Sequence, residues 1–173
     1  MSDRSEAYRR GVLTEQPFSH VDGTGKLRMV DVTHKRPTLR RAYASCVVRT
    51  VADVAAPGLR TNELDPVHAA RLAGIQAAKQ TANLIPLCHP LNLNEIHVEV
   101  VVNEGRIEIS ATVTATHRTG VEMEALTACA IAALSIVNSL VDVDPRAEID
   151  DLVLLRKSGG KSGEWGRLVD APR

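Results

Sequence analysis

The residues best suited to chemistry begin with a cysteine and a histidine in a proline-bounded turn. Cys88 and His89 stand between Pro86 and Pro90, directly after an apolar run. The prolines fix the backbone on both sides, and a stiff loop favours a positioned side chain. A lone histidine in such a turn is more often held by a backbone hydrogen bond, so the residues alone favour a structural role for His89.

Two carboxylates stand at the start of a predicted helix some thirty residues later. Glu122 and Glu124 follow Gly120 and precede a long apolar stretch. Acidic residues are favourable in the first turn of any helix because of its dipole, which explains both without a function. Residues two apart do not share a helix face, however, so the two acids can serve different neighbours, one of them across an interface.

A third segment combines two lysines with a glycine turn. Lys157 and Lys161 flank Gly159 and Gly160. The segment is not a P-loop, because Leu155 stands where that motif requires glycine. A glycine turn with two lysines can present amides and charge to a phosphate, and a solvated basic turn before a tail is an equally good interpretation.

Composition excludes several classes of function. The chain has 173 residues, 44% hydrophobic and 24% charged, with a formal net charge of zero, so one globular domain is predicted. Zero net charge and only 2% aromatic residues argue against nucleic acid and membrane partners. Its three cysteines form no Cys-x-x-Cys pair, so no metal site is predicted. The polar N-terminus lacks a signal core, and a cytoplasmic location is expected.

The predicted elements begin after an N-terminal arm, residues 1–37. Within the arm, residues 20–26 have turn chemistry and residues 27–32 suit a short strand. A first full strand is predicted over residues 42–51.

A helix is predicted from Val67 to Asn83, because apolar residues recur at helical spacing until Pro86 ends the run. Its apolar face is predicted to comprise Leu72, Ile75, Ala78 and Ala82. Lys79 lies on this helix, where an exposed lysine is the default interpretation.

Strict alternation of apolar and polar residues then predicts a β-hairpin with one buried face. Its strands cover residues 96–102 and 107–115, and the turn falls at Glu104-Gly105.

The second predicted helix, residues 122–141, is apolar nearly all round between Ala125 and Val137. That stretch is too short to cross a bilayer, and in a small domain it indicates a subunit interface. A last strand is predicted over residues 148–156.

The order strand, helix, strand, strand, helix, strand is that of the split βαβ, ferredoxin-like fold. We therefore predict an α+β protein whose antiparallel sheet carries two helices on one face. The domain is predicted to span residues 38–165, followed by a tail over residues 166–173.

Five segments resemble one protein family, among them Gly74-Ile75-Gln76-Ala77-Ala78-Lys79 on the first predicted helix. Three of them, Leu87-Cys88-His89-Pro90-Leu91, the run from Gly120 to Thr127 and the run from Lys157 to Gly163, are together highly specific, and Met29-Val30-Asp31-Val32-Thr33 agrees with them. They resemble the cyclic pyranopterin monophosphate synthase family of molybdenum cofactor biosynthesis (the MoaC family). The resemblance covers the chain from about His20 to Trp165.

The resemblance implies a ferredoxin-like fold and a hexamer of dimers with the active site at a dimer interface. The family converts 3′,8-cyclo-7,8-dihydro-GTP into cyclic pyranopterin monophosphate and releases pyrophosphate. No cofactor is implied, although Mg²⁺ can accompany a triphosphate ligand. The implied substrate-binding residues are Lys79, Leu87, Cys88, His89, Glu122, Met123, Glu124, Lys157 and Lys161.

The sequence departs from the family at the positions that transfer protons. The family carries an aspartate and, three residues later, a lysine on the second helix, and these positions are Asn138 and Val141 here. A second family lysine, before the first helix, is Glu63. Asparagine does not ionise and valine has no proton to give, so the motifs predict a binding site without its proton-transfer pair. The alternatives are a paralogue acting on a related cyclised nucleotide and a non-catalytic ligand-binding homologue.

Overall fold

The structure of this chain is a computed structural model that describes residues 20–52 and 65–167. The chain divides into two units, one that ends at Asp31 and one that begins at Val32. Glu63 and the predicted start of the loop before the first helix lie outside the described residues.

The described part of the first unit is a tight turn around Asp22. The Asp22 side chain accepts hydrogen bonds from the Thr24 and Lys26 amides at 2.8 and 3.0 Å, as turn chemistry requires. The strand predicted over residues 27–32 is wrong, because only a single bridge joins Val21 to Leu27 and the backbone beyond forms no strand.

The second unit is built on a five-stranded sheet in the order β2-β3-β1-β4-β5. Its strands are β1 (Thr38–Arg49), β2 (Glu95–Asn103), β3 (Arg106–His117), β4 (Glu148–Ser158) and β5 (Trp165–Gly166). Its helices are α1 (Pro66–Lys79), the short α2 (Thr81–Leu84) and α3 (Glu122–Leu140). All neighbouring strands are antiparallel, so the predicted ferredoxin-like α+β arrangement is confirmed.

β1 lies at the centre of the sheet and begins four residues earlier than predicted. Its first residue, Thr38, pairs with His117 at the end of β3, so polar residues extend the strand at this edge. At the other edge the strand ends because Asp144 accepts hydrogen bonds from the Thr50 hydroxyl and the Val51 amide, both at 2.8 Å.

The predicted hairpin is confirmed as β2 and β3, joined through Gly105 at a φ of 72°. Glycine accepts this left-handed conformation without steric cost. One face of the sheet packs on the helices through small and branched side chains. This core includes Ala42, Ala44, Cys46, Val48, Val98, Ile107, Ile109, Ala111 and Val113.

The first predicted helix is two helices. The Thr81 hydroxyl donates to the carbonyls of Ala77 and Ala78 at 3.3 and 3.0 Å, which competes with continuation of α1. The predicted apolar face is also partly wrong, because Leu72 is 62% exposed. The buried face consists of small residues, among them Ala70, Gly74, Ala77 and Ala78.

Small residues let α1 and α3 approach closely. A Cβ atom placed on Gly74 would lie 2.9 Å from the Ala128 carbonyl oxygen and 3.2 Å from the Ala132 Cβ. The backbone of α1 at Gly74 therefore packs directly against α3, and a larger residue at position 74 does not fit between the two helices.

α3 is the longest and most apolar helix of the described residues. Its length of 19 residues and mean hydropathy of 1.6 would suffice to cross a membrane, so the prediction that its apolar stretch is too short holds only for residues 125–137. Half of it is buried within the protein, where it packs on β1 and β3. These contacts make α3 a core helix of the unit.

Candidate active site

Chain topology brings the ends of six elements to one edge of the sheet. β1 and β2 run in one direction and β3 and β4 in the other. α1 and α3 must each cross back, so α1 ends and α3 begins at the edge where β1 begins. We call this edge, at Thr38, His117 and Ser158, the site edge. The loop from α2 to β2, which contains Leu87, Cys88 and His89, also lies there.

Glu122 and Lys157 form an ion pair at the site edge. The Lys157 Nζ lies 3.1 Å from the Glu122 Oε1, and both side chains are about one-third exposed, at 32% and 28%. Lys157 points towards the helices because it pairs with the buried Ala42. The Glu122 carboxylate folds back over Gly120, where a Cβ atom would overlap it. A pair this exposed adds about 0–1 kcal/mol of stability, so its main consequence is a fixed, neutralised carboxylate.

Glu124 is the buried acid of the site, with only 4% of its surface exposed. Burial raises the pKa of its carboxyl to about 7, with its own backbone amide opposing the rise and the charge of Glu122 adding to it. Glu124 therefore exchanges a proton near neutral pH, which an ordinary glutamate does not.

The Cys88-His89 turn lies next to Glu124. The Cys88 amide donates to the Ile85 carbonyl at 3.0 Å, which closes the turn after α2. Burial raises the pKa of the Cys88 thiol, and the charge of Glu124 raises it further. Leu87, Cys88 and His89 are all partly buried. The structure thus brings this turn and the second acid together, as the motifs predicted them to cooperate.

Lys79, Met123 and Lys161 are exposed at the same edge. Lys79 is the last residue of α1, and Met123 lies on the first turn of α3 with 38% of its surface exposed. Lys161 follows Gly159 and Gly160, whose φ angles of 94° and 71° are left-handed. These three side chains form no hydrogen bond or ion pair with Glu122 or Lys157, and they remain predicted ligand-binding residues.

Arg40 on β1 is a basic residue of this edge that no sequence motif predicted. Its guanidinium takes the space beside Gly160, where a Cβ atom would overlap it, and its Nη2 donates to the Arg118 carbonyl at 3.4 Å. The missed signal is the register of β1. Once the strand begins at Thr38, alternation places Arg40 on the same face as the buried Ala42.

The predicted proton-transfer positions lie at the other end of α3. Fourteen residues separate Glu124 from Asn138, which is about 21 Å along the axis at about 1.5 Å per residue. Asn138 is exposed, and Val141, just after the helix, is 57% exposed. Within one chain, Asn138 and Val141 are therefore too far from Glu122, Glu124 and Lys157 to act together with them.

The opposite face of the sheet carries a cavity of about 860 Å³, which reaches the site edge at Lys157 and Ser158. Arg41, Tyr43, Arg156 and Trp165 line it. The described residues contain no group of three or more His, Cys, Asp or Glu side chains placed to hold a metal ion. Fold and site together define a ferredoxin-like α+β protein with two acids, a lysine and a histidine turn at one edge of its sheet.

Comparison with known proteins agrees with this class. The family model described as the MoaC family matches residues 29–160, and the chain belongs to that family. The cyclic pyranopterin monophosphate synthase 2 of Mycobacterium tuberculosis is 48% identical over 163 residues, which cover 92% of this chain and 94% of that protein. The cyclic pyranopterin monophosphate synthases of Streptomyces griseus and Geobacter metallireducens are also similar. The former is 44% identical over 173 residues, covering 98% of this chain and 97% of that protein, and the latter 48% over 156 residues, covering 87% and 96%. The resemblance predicted from the motifs is confirmed.

Proposed function

We propose that this protein is a cyclic pyranopterin monophosphate synthase of molybdenum cofactor biosynthesis. It binds 3′,8-cyclo-7,8-dihydro-GTP and promotes its rearrangement to cyclic pyranopterin monophosphate with release of pyrophosphate, in the cytoplasm. The observation that carries the proposal is the cluster at the start of α3. There the Glu122–Lys157 pair, the buried Glu124 and the Cys88-His89 turn converge in a chain of this family.

The two groups of site residues require a second protomer to form one site. About 21 Å along α3 is too far for Glu124 and Asn138 to act on the same bond. Leu134, Asn138 and Val141 recur at helical spacing, and the two apolar ones are 51% and 57% exposed. A partner that covers this strip would bring its own site edge to Asn138 and Val141. The proposed assembly is a hexamer built from such dimers.

Proton transfer in this chain must differ from that implied by the family motifs. Asn138 and Val141 cannot supply it, whereas Glu124 can hold or release a proton near neutral pH. We assign Glu124 part of this role, beside its contact with substrate. No resident cofactor is proposed, and Mg²⁺ would act only as a companion of the triphosphate.

Replacement of the family's proton-transfer residues favours a second candidate function. With Asn138, Val141 and Glu63 in place of the aspartate and two lysines, the chain can bind the nucleotide without turning it over, or can act on a related cyclised nucleotide. Function depends on the site and not on the fold, so the two candidates are separated by assay.

Turnover of the cyclised GTP derivative by the purified protein tests the proposal. We expect slow formation of product and pyrophosphate in equal amounts, below a typical family member by ~10²–10⁴-fold, the usual contribution of a general acid–base group. The variant Asn138→Asp, Val141→Lys, Glu63→Lys should raise the rate. The matched control is Val143→Lys, which adds a lysine at another exposed valine, 54% exposed, outside the pair. If neither wild type nor triple variant forms product while both bind the nucleotide, the chain is a binding homologue or acts on another substrate.

A further inference from the structure

Two of the three cysteines meet in the core of the protein. Cys46 lies on β1 and Cys129 on α3, 83 positions apart in the chain, and they are only 2% and 0% exposed. The Cys46 thiol donates to the Cys129 carbonyl at 3.5 Å, and the two thiols are hydrogen-bonded to each other. The third cysteine, Cys88, lies in the turn at the site edge and is partly exposed.

The packing of α3 on the sheet explains why the two thiols face each other. Alternation along β1 places Cys46 on the face that the helices cover, two residues after the buried Ala44. α3 packs on this face, with Ala128 and Ala132 buried on either side of Cys129 in the sequence. Because small residues let the helix approach the strand closely, side chains that face each other across this layer come into contact.

The hydrogen bond between the thiols makes them chemically unequal. It lowers the pKa of the Cys46 thiol, against the effect of burial, and it raises the pKa of the Cys129 thiol, which burial raises further. A cysteine reacts as its thiolate, so Cys46 is the better nucleophile and Cys129 is placed to react with it afterwards. An attacking cysteine next to a resolving cysteine is the arrangement that oxidises reversibly.

We propose that Cys46 and Cys129 are a peroxide-sensitive thiol pair, which hydrogen peroxide converts into a disulfide that joins α3 to the centre of the sheet. The Cys46 thiolate attacks one peroxide oxygen and the O–O bond breaks. The leaving hydroxide takes up the proton that Cys46 released, which gives water and a sulfenic acid on Cys46. The Cys129 sulfur then attacks the Cys46 sulfur, the S–O bond breaks, and a second water leaves with the Cys129 proton. Two thiols thus lose two electrons in total, and one peroxide is reduced to two waters.

Burial of the pair determines which oxidant reaches it. Hydrogen peroxide is little larger than water, whereas oxidised glutathione is too bulky to enter a close-packed core. The new bond draws the sulfurs to about 2.0 Å and fixes α3 on β1 less than two turns after Glu124. Disulfides in reducing compartments are usually transient and redox-sensing, so the resting form of this pair is the dithiol.

Mass spectrometry of the full-length Cys88→Ser protein tests the pair. This variant keeps Cys46 and Cys129 and removes the partly exposed thiol that can link chains. The protein is treated with hydrogen peroxide, freed of the excess and unfolded in iodoacetamide. We expect both alkylatable thiols to be lost, the tryptic peptides of Cys46 and Cys129 to be linked within one chain, and dithiothreitol to restore both thiols. Oxidised glutathione should leave both thiols free.

The melting temperature of the same samples measures the effect of the bond. At one protein concentration, oxidised Cys88→Ser should melt about 5–15 °C above its reduced form, because closure of so long a loop constrains the unfolded chain. Cys46→Ala and Cys129→Ala in the same background are the matched controls, and peroxide should not raise their melting temperatures. In the Cys129→Ala protein, the sulfenic acid should remain on Cys46, where dimedone labels it. Valine replaces alanine in a control that does not fold.

Failure to form the bond within one chain overturns the proposal. If peroxide oxidises Cys88 in wild type but leaves Cys46 and Cys129 alkylatable in the variant, the two thiols serve packing alone. Links between different chains contradict the pair as well. So does a linked protein that melts no higher than the reduced one, because the bond would then have displaced α3 from its native packing. The measurements use no nucleotide, so their outcome is independent of the proposed reaction.

Discussion

Replacing Glu124 by glutamine tests the electrostatics of the site without any substrate. The Glu124 carboxyl is 4% exposed, and burial raises its pKa from 4.5 to about 7. In the unfolded chain the carboxyl is in water and titrates near its ordinary pKa. The folded state therefore binds the proton more tightly than the unfolded state does. The stability that this group contributes is full below about pH 4.5 and is lost as the pH rises through about 7.

The magnitude follows from the two pKa values of Glu124. A tenfold change in proton affinity corresponds to about 1.4 kcal/mol, so the full effect is roughly 3 kcal/mol. Between about pH 5 and pH 8 the wild type should lose about 2.5 kcal/mol of unfolding free energy from this group. Glutamine has a similar shape and no charge at either pH. The unfolding free energy of Glu124→Gln, relative to that of wild type, should therefore rise by about 2.5 kcal/mol between about pH 5 and pH 8.

Urea unfolding of both proteins at the two pH values, at one protein concentration, measures this difference. The fixed concentration matters because assembly adds to apparent stability. Glu99→Gln is the matched control, since Glu99 is exposed on β2 and its replacement should show no comparable pH dependence. If the difference in unfolding free energy between Glu124→Gln and wild type is the same at the two pH values, Glu124 does not have a raised pKa. A variant that becomes relatively less stable at high pH would show that the protein stabilises the carboxylate instead.

Two further predictions concern packing and assembly. Gly74→Ala should lower the unfolding free energy by about 1–3 kcal/mol in urea titrations, because its Cβ would meet the Ala128 carbonyl at 2.9 Å, and the better helix propensity of alanine returns only about 1 kcal/mol. A variant as stable as wild type would show that the helices can separate at this point. Leu134→Lys should reduce the assembled fraction in sedimentation experiments while the circular dichroism spectrum stays unchanged, because Leu134 is 51% exposed in the protomer on the strip proposed to be covered. An unaltered assembly would place the interface elsewhere.

The sequence predicted those elements whose signal is periodic over many residues. Strict alternation in β2 and β3 specified both the hairpin and its buried face, and the long apolar run specified α3. The buried face of α1 was partly misassigned because close packing selects small residues there. Gly74 is buried against α3, whereas the larger Leu72 faces solvent. Hydrophobicity alone does not carry that information, since it depends on the distance to a neighbouring helix.

The site residues were predicted from sequence motifs and not from the packing of the chain. This explains why Arg40 was not predicted. Cys88, Glu122 and Lys157 belong to recognisable motifs, and the structure brings their segments to one edge of the sheet. Arg40 belongs to none of the motifs, and its position follows only from where β1 begins and which strand it pairs with. Such pairing joins residues far apart in the chain, so no local pattern reports it.

The separation of Glu124 from Asn138 and Val141 along α3 bears on which positions the fold leaves free to vary. Asn138 and Val141 are exposed, so the core sets no requirement on their identity, and their replacement leaves packing at the start of α3 undisturbed. Glu124 is buried at the other end, with its pKa raised to about 7 by that burial. A chain can therefore carry other residues at the proposed proton-transfer positions and keep both the fold and the acids that we propose to bind substrate. The proposed proton transfer then relies on groups at the site edge, and we propose Glu124 for it because it is buried and has a pKa of about 7.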